Sequence, residues 1–258
     1  MVRGGHDDYG DRMATEAVPV SRVLIGTSGW QYDSWVGPFY EGRNEMLRRY
    51  AQRFATVEVN STFYGLPDER TVREWMEAVA GQEFTFAVKA SRYITHMKKL
   101  KDPGDPLHRL FEAIAPLGDR ADVVLFQLPP SWKRNTERLS SFLESLPAGR
   151  RCAFEFRDPD WFHGEVYEAL REHNAAYCIY HLDDVMSPKE ITADYVYIRL
   201  HGAQGKYRGS YSTEDLSGWA GAISAWSRSG KDVYVYFDND QEAAAVRDAA
   251  RLQGMLGG

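Results

Sequence analysis

Short apolar runs that end in charged or amide residues recur along this chain. They lie at 57–60, 86–89, 124–127, 153–157, 196–201 and 235–239. A polar side chain on a buried strand is costly unless it is paired or takes part in chemistry. Because parallel strands bring their carboxyl ends to one edge, these runs predict one shared polar site at one end of a parallel sheet.

Strand-like runs alternate with amphipathic helical runs from Val23 to the C-terminus. The predicted strands centre on 23–28, 56–60, 84–89, 123–128, 152–157, 177–181, 195–201 and 233–238. Alternation of this kind predicts an α/β fold with parallel pairing and right-handed crossovers. A doubly wound open sheet is the rival. The polar ends are spread over nearly all the strands, which favours a closed (β/α)8 TIM-barrel-like fold.

The predicted helices lie near 44–54, 68–79, 106–118, 136–146, 162–173, 213–228 and 240–254. Asp68 is a candidate cap for the second of them, and Ser212 with Asp215 approximates a capping box. The segment 183–194 between strands six and seven is short and contains Pro188. It predicts an irregular or missing helix at that place in the barrel.

The chain length of 258 residues fits one barrel, which typically needs about 250. The polar start predicts a disordered extension over 1–21, followed by a single domain over 22–258. No run reaches the roughly 20 apolar residues of a membrane span. Cys152 and Cys178 lie in strand-like runs, which predicts buried reduced thiols and a cytoplasmic protein.

Side chains alternate along a strand, so residues two apart share a face. The polar groups predicted to enter the lumen together are Glu58 with Asn60, Glu155 with Arg157, and Tyr197 with Arg199 and His201. Their apolar neighbours are then expected to face the helices. The alternative interpretation is a buried ion-pair network that only fixes the register of the strands.

The charges at the strand ends favour an anion over a metal ion. The cations Lys89, Arg157 and Arg199 would compete with a metal for the carboxylates, so we expect neither a metal nor a cofactor. The same cations suit a phosphate or carboxylate group. Glu58 and Glu155 are the candidate acid–base pair, with His201 as proton shuttle; a purely structural His201 is the competing interpretation.

Aromatic loops follow several strands and predict stacking surfaces around a pocket. The expected substrate-binding residues are Trp30, Asn60, Tyr64, Lys89, Gln127, Arg157, Trp161, Arg199, Tyr207, Arg208, Asp238 and Asn239. The Gly-rich, basic segment 202–212 precedes a helix and is a candidate phosphate grip, although a mobile surface loop competes with that interpretation. His96 is a further candidate for substrate contact.

These residues resemble the DUF72 (YecE-like) family of proteins of unknown function. The matching stretches are 26–30 with Trp35 and 39–40, 57–64, 84–89, 127–130, 154–157 with Trp161, 199–202, 207–211 and 236–240. The resemblance covers nearly the whole chain after Arg22. It implies a TIM-barrel-like fold and supplies no activity.

The leading functional hypothesis is an enzyme that acts on an anionic small molecule or nucleotide-like group by acid–base or hydrolytic chemistry. A nucleic-acid binding or processing factor is the second, with bases stacked on Trp30, Tyr64 and Trp161; the net charge of −6 weighs against it. A metal-dependent barrel hydrolase or isomerase that uses the carboxylates and His201 is the third. A barrel that serves as a binding or scaffold protein is the fourth.

Overall fold

Strands and helices alternate along the chain as the hydrophobic pattern predicted. The computed structural model describes residues 21–203 and 205–257. Its strands are β1 Val23–Thr27, β2 Thr56–Val59, β3 Thr85–Lys89, β4 Ala121–Gln127, β5 Arg151–Glu155, β6 Ala176–Leu182, β7 Val185–Met186, β8 Tyr195–Leu200 and β9 Asp232–Phe237.

Seven α-helices occur in the described part of the chain. They are α1 Met46–Tyr50, α2 Glu69–Ala78, α3 Gly104–Ile114, α4 Thr136–Glu144, α5 Gly164–Glu172, α6 Thr213–Arg228 and α7 Ala244–Leu256. Both predicted caps are present. The Asp68 carboxylate accepts the Thr71 N–H at 2.8 Å, and Ser212 and Asp215 form a capping box at the start of α6.

Eight of the strands form a nearly closed parallel barrel. Neighbouring strands follow the order β1, β9, β8, β6, β5, β4, β3, β2. A single bridge between Ser28 and Glu58 joins the two ends of this order. At this seam a Cβ on Gly26 would lie 2.2 Å from the carbonyl oxygen of Thr56, so only glycine permits the close approach. The TIM-barrel-like fold predicted from the sequence is confirmed.

The connection from β6 to β8 carries a hairpin where a helix would normally stand. All of its residues are described, and β7 pairs antiparallel with β6 through Val185 and Leu182. Beyond the hairpin, two side-chain hydroxyls accept hydrogen bonds from backbone N–H groups of β6. The Oγ of Ser187 accepts the Tyr180 N–H at 2.8 Å, and the Oγ1 of Thr192 accepts the Tyr177 N–H at 2.7 Å. The prediction of an irregular or missing helix at this place is confirmed.

The core has two layers, on the two faces of the strands. The inner layer fills the lumen with four tyrosines and smaller side chains, namely Tyr195, Tyr197, Tyr234, Tyr236, Leu125 and Cys178. The outer layer packs Val57, Phe154 and Ile198 against the helices. This division is the one expected from the alternation of polar and apolar residues along the strands.

Both cysteines are free and buried, as predicted. Burial raises the pKa of Cys152 to about 12 and that of Cys178 well above its ordinary value. Residues 1–20 of the predicted extension lie outside the described residues, and Ser21 donates to the Ser227 carbonyl at 2.7 Å. Within the described ranges, no helix has the length and apolar character needed to cross a bilayer.

Candidate active site at the mouth of the barrel

Arg199 is the centre of a buried ion network at the carboxyl ends of the strands. Its Nη1 donates to Glu155 at 2.7 Å, and its Nη2 donates to Glu58 at 2.7 Å and to Asp238 at 3.1 Å. The four residues come from β8, β5, β2 and the end of β9. Arg199 is 1% exposed, and both glutamates are fully buried. The closed barrel therefore gathers charges that are far apart in sequence.

Both carboxylate oxygens of Glu58 have hydrogen-bond donors. Oε1 accepts from Ser28 Oγ at 2.8 Å in addition to Arg199, and Oε2 accepts from the Tyr197 hydroxyl at 2.6 Å. Burial, followed by the charge of Glu58, raises the pKa of Tyr197 well above its ordinary value, so the phenol stays a donor. Glu58 is therefore held in one position by two residues of β8 and by Ser28, which directly follows β1.

His201 bridges the second arginine of the network and Asp238. Its Nε2 lies 3.0 Å from Arg157 Nη2, and its Nδ1 lies 2.9 Å from Asp238 Oδ2. Because a guanidinium can only donate, Nε2 must accept, and the ring proton must lie on Nδ1 toward Asp238. The Tyr207 ring meets the face of the His201 ring nearly edge-on, with centroids 5.6 Å apart.

Two carboxylates of the network remain ionised. Burial raises the pKa of Glu155, but the charges of Arg157, with which it forms an ion pair, and Arg199 outweigh burial and hold it well below the ordinary value. The pKa of Asp238 is lowered in the same way, against burial, by Arg199 and by the hydrogen bond to His201. Glu155 is also fully buried, so a carboxylate held this far below its ordinary pKa neither donates a proton nor accepts one readily at neutral pH. Glu155 therefore suits a fixed charge that orients the arginines, rather than the acid–base role expected for it.

Lys89 lies beside this network without joining it. It ends β3, where its carbonyl accepts from Thr62 Oγ1 at 2.7 Å, and its side chain is partly buried. Nζ lies 4.6 Å from the centre of the Phe63 ring and forms no hydrogen bond or salt bridge with any described residue. Burial, followed by the charge of Arg199, lowers the pKa of Lys89 to about 8, against the opposing pull of the carboxylates.

His96 extends the site along the loop after β3. Its ring packs edge-on to Phe63 with centroids 5.0 Å apart, and its Nδ1 lies 2.9 Å from Thr95 Oγ1. Burial and the charge of Lys89 lower the pKa of His96, so the ring is neutral at pH 7. Phe63 thus separates the lysine from the histidine and contacts both.

Two amides predicted to bind substrate also reach the mouth. Asn60 and Gln127 are half-buried at the ends of β2 and β4. The Oδ1 of Asn60 is buried and has no hydrogen-bond partner among the described residues. A buried acceptor left without a donor is costly, which makes Asn60 a polar group available to a ligand.

The structure does not bring the predicted tryptophans to the site. Trp30 is 4% exposed and packs edge-on to Trp75, while Trp161 is fully buried and donates to the Trp132 carbonyl at 2.6 Å. This corrects the expectation that the two indoles stack on a ligand, because each indole face is covered by the core. Tyr64 is 77% exposed and lies on the outer side of the Phe63 ring.

Asn239 fixes a loop instead of facing the lumen. Its Nδ2 donates to the Gly209 carbonyl at 2.8 Å and to Asp248 at 2.9 Å. The buried Asp248 also accepts the Tyr211 N–H at 2.9 Å. This corrects the expectation that Asn239 binds substrate, since its donors are used to tie the loop after β8 to α7.

The segment after β8 differs from the predicted phosphate grip. The Asp215 carboxylate of the capping box already accepts the Ser212 N–H at the start of α6. An anion there would compete with a carboxylate of the chain itself. Arg208 is exposed, while Tyr207 is 37% exposed and covers His201. Among the residues of this segment that the structure describes, Tyr207 is therefore the one that borders the network.

Sequence reasoning missed several residues of the site. Ser28 and Tyr180 were passed over; Tyr180 lies under the Arg157 guanidinium at 5.1 Å. Asp240 was also passed over, although burial and the charge of Asp238 raise its pKa. Tyr32 donates to the Ser28 carbonyl, and burial followed by the charges of Asp238 and Asp240 raises the pKa of its hydroxyl. The signal that could have found Asp240 is its place two residues after Asp238, in the segment that follows β9.

The arrangement offers no ready metal cage. Among the residues that the structure describes, no group of three or more His, Cys, Asp or Glu side chains has metal-binding geometry. The reason is visible in the network. The Arg199 guanidinium occupies the space between Glu58, Glu155 and Asp238 that a cation bound by all three would need.

Known proteins resemble this chain in sequence and in fold. The UPF0759 protein YunF of Bacillus subtilis is 23% identical over 91% of this chain and 94% of its own length. The UPF0759 protein YecE of Escherichia coli is 31% identical, over 57% of this chain and 53% of its own length.

Solved structures show the same relationship. A DUF72 family protein from Thermotoga maritima has a TM-score of 0.82 and 30% identity, and the match covers 92% of this chain and all of that one. A DUF72 family protein from Enterococcus faecalis has a TM-score of 0.79 at 19% identity, over 92% and 96% of the two chains. The family model described as "Protein of unknown function DUF72" matches residues 24–258. Since that match spans the whole barrel, the chain belongs to the DUF72 family.

Proposed function

We propose that this chain is an enzyme that acts on a small substrate bearing a phosphate or carboxylate group, at the carboxyl end of the barrel. The observation that carries the proposal is Lys89, a partly buried cation at the mouth with no carboxylate partner among the described residues. A buried cation without a counter-ion is unfavourable, and an anionic ligand would supply one.

The arginines of the network contribute less to anion binding than the sequence indicated. Both Nη atoms of Arg199 already donate to carboxylates of the chain. Arg157 pairs with Glu155 and donates to His201, which leaves its remaining N–H groups for a ligand. Lys89 and Arg157 are therefore the proposed anion contacts, with Asn60 and Gln127 orienting the bound group.

The proposed acid–base chemistry rests on two aspartates with different environments. Asp238 is held ionised by Arg199 and His201, whereas burial and the charge of Asp238 raise the pKa of Asp240. Carboxyl groups whose pKa values are pushed apart are a common basis for a base and an acid in one site. Asp238 is the proposed proton acceptor and Asp240 the proposed donor. In this scheme Glu58, Glu155, Arg199 and His201 are positioning residues.

The anion proposal is tested by thermal unfolding with phosphate or malonate, at ionic strength matched with sodium chloride. We expect at least one of these anions to raise the Tm of the wild type, because binding to the native state alone stabilises it. The Lys89→Met variant should lose this shift.

The matched control is Lys189→Met, which removes an exposed lysine whose Nζ lies 4.5 Å from the ring of the buried Trp219. It should keep the wild-type shift. An equal shift in Lys89→Met and wild type would refute the anion site, as would no shift with either anion in any of the three proteins.

The alternatives from the sequence gain no support from a specific contact. A nucleic-acid factor loses two of its three proposed stacking rings, because Trp30 and Trp161 are buried. A metal-dependent hydrolase or isomerase would need carboxylates that Arg199 already binds. The proposed partner therefore remains an anionic small molecule or nucleotide-like ligand.

A further inference from the structure

Lys89 has a backbone fixed by hydrogen bonds and a side-chain amine without a polar partner among the described residues. Its main chain is fixed by parallel pairing with Leu125 of β4 and by the hydrogen bond from Thr62. Its Nζ rests on Phe63 without a polar partner among the described residues. Reactive groups on strand ends are held more precisely than groups on loops, so this amine is well positioned for chemistry.

Other lysines of the chain have different surroundings. Lys98 lies 3.6 Å from Asp102, and Lys133 lies 3.1 Å from Asp158. An ammonium paired with a carboxylate is stabilised in its protonated form, which is not a nucleophile. Burial, followed by the charge of Arg199, lowers the pKa of Lys89 although nearby carboxylates oppose the shift, and burial together with a neighbouring cation activates a lysine amine.

The consequence for the amine is large. With a pKa of about 8, about a tenth of the Lys89 side chains carry a free amine at pH 7. At the ordinary value of 10.5 the fraction is below about one in a thousand. The site therefore holds a lysine that is both accessible at the mouth and available as a nucleophile.

From this placement we infer that Lys89 Nζ attacks the carbonyl carbon of the substrate and forms an imine with it. The inference rests on the proposed function, because it assigns a carbonyl group to the same anionic substrate. It adds a covalent step and a substrate class, an oxo acid or an oxo phosphate ester, to that proposal.

The step balances without an oxidant or reductant. The ammonium first releases one proton to solvent, and the neutral amine adds to the carbonyl carbon while one of its N–H protons passes to the carbonyl oxygen, which gives a carbinolamine. The carbinolamine hydroxyl then takes up one proton from solvent and leaves as water as the C=N bond forms. The protonated imine therefore carries the single positive charge that the ammonium had. That charge stays beside the anionic group of the substrate and draws electrons from the neighbouring C–H or C–C bond.

Reductive trapping tests the inference directly. The whole protein is incubated briefly with pyruvate and sodium cyanoborohydride, which reduces a protonated imine to a stable secondary amine. Intact mass and peptide mapping then locate the adduct. We expect one main adduct on Lys89, no adduct there in Lys89→Met or Lys89→Arg, and unchanged trapping in Lys189→Met. Absence of a Lys89 adduct in wild type, or modification spread evenly over surface lysines, would overturn the inference.

The pH dependence of trapping gives a second readout that is independent of any variant. The charged and titratable groups around Lys89 are Arg199 on β8, Glu58 on β2, Glu155 on β5, Asp238 after β9 and His96 after β3. The initial rate at Lys89 should rise with pH, reach half of its maximum near pH 8 and level off above about pH 9. A rate that keeps rising toward pH 10 would indicate an ordinary surface amine.

A neutral carbonyl probe separates the two proposals. Hydroxyacetone carries a ketone without an anionic group. Trapping of Lys89 by pyruvate and hydroxyacetone alike, together with no anion-dependent thermal shift, would support the imine and refute the anion site. Conversely, a shift with phosphate or malonate that depends on Lys89, without trapping by either carbonyl compound, would keep the anion site and refute the imine.

Discussion

The guanidinium of Arg199 donates to the carboxylate of Glu58 across 2.7 Å, with both side chains removed from solvent. A desolvated charge is tolerated only if its partners remain in place. The pair therefore links the two ends of the strand order, since Glu58 also forms the bridge to Ser28 that joins β1 and β2. The same contact thus stabilises the barrel and organises its mouth.

Removing one charge of this pair should be strongly destabilising. Glu58→Gln keeps the shape of the side chain but leaves Arg199 with one counter-ion fewer, so we expect a loss of about 3 to 5 kcal/mol in the free energy of unfolding. Urea denaturation followed by circular dichroism measures the loss.

The matched control is Glu74→Gln, which breaks an exposed 2.9 Å pair with Arg70. It should change the free energy of unfolding by less than about 1 kcal/mol. Comparable effects of the two substitutions would mean that the Arg199 network does not hold the barrel.

The contacts of His201 predict its tautomer. Arg157 donates to Nε2, so the proton should reside on Nδ1, which faces Asp238 at 2.9 Å. Nitrogen NMR of 15N-labelled protein at pH 7 distinguishes the two ring nitrogens. We expect a protonated Nδ1 and a bare Nε2. A proton on Nε2 would show that Arg157 does not bind there.

The loss of folding stability at low pH should depend on Glu155. Its pKa is lower in the folded protein than the ordinary 4.5, so its ionisation stabilises the fold above about pH 4.5. This stabilisation is lost as the pH falls through the folded value. The Glu155→Gln variant should therefore be less stable than wild type at pH 7, and the difference should shrink steadily below about pH 4.5. A difference that is constant between pH 7 and pH 3 would contradict the assigned ion pairs.

The seam of the barrel should tolerate no side chain at Gly26. An added Cβ would meet the Thr56 carbonyl oxygen at 2.2 Å, and backbone cannot yield as a flexible side chain does. We expect Gly26→Ala to cost about 1 to 3 kcal/mol of unfolding free energy. Gly65→Ala, where the new Cβ would touch nothing within 4 Å, is the comparison variant. Equal Tm values for the two variants would argue against the close approach of β1 and β2.

The periodicity of polar and apolar residues in the sequence predicted most of the fold. Alternating polar and apolar positions predicted the lumen side of Glu58 and Arg199, because a strand offers only two faces. It could not predict their partners, since pairing depends on the order in which strands close the barrel. Trp30 and Trp161 show a second kind of position that the sequence could not predict. Loop aromatics look alike in sequence whether they line a pocket or fill the core, and here the core covers both.

The residues after the strand ends were the hardest to predict. Asn239 follows Asp238 directly, yet its amide ties the loop at Gly209 to α7 while Asp238 faces Arg199. Neighbouring residues beyond a strand no longer alternate regularly, so their directions depend on the loop conformation. Lys89 was expected to hold the anion together with Arg157 and Arg199. Its isolation appears only once the carboxylates are seen to pair with the arginines.

The titration of the Lys89 ammonium tests the account most directly. NMR of protein with 13C-labelled lysine, assigned with the Lys89→Met variant, follows this amine through the pH range with and without phosphate. We predict a pKa of about 8 in the free protein, and a higher pKa with phosphate bound, because a nearby anion favours the ammonium. An ordinary pKa near 10.5 that phosphate does not change would contradict the central claim that Lys89 is an unpaired cation that contacts the anionic ligand.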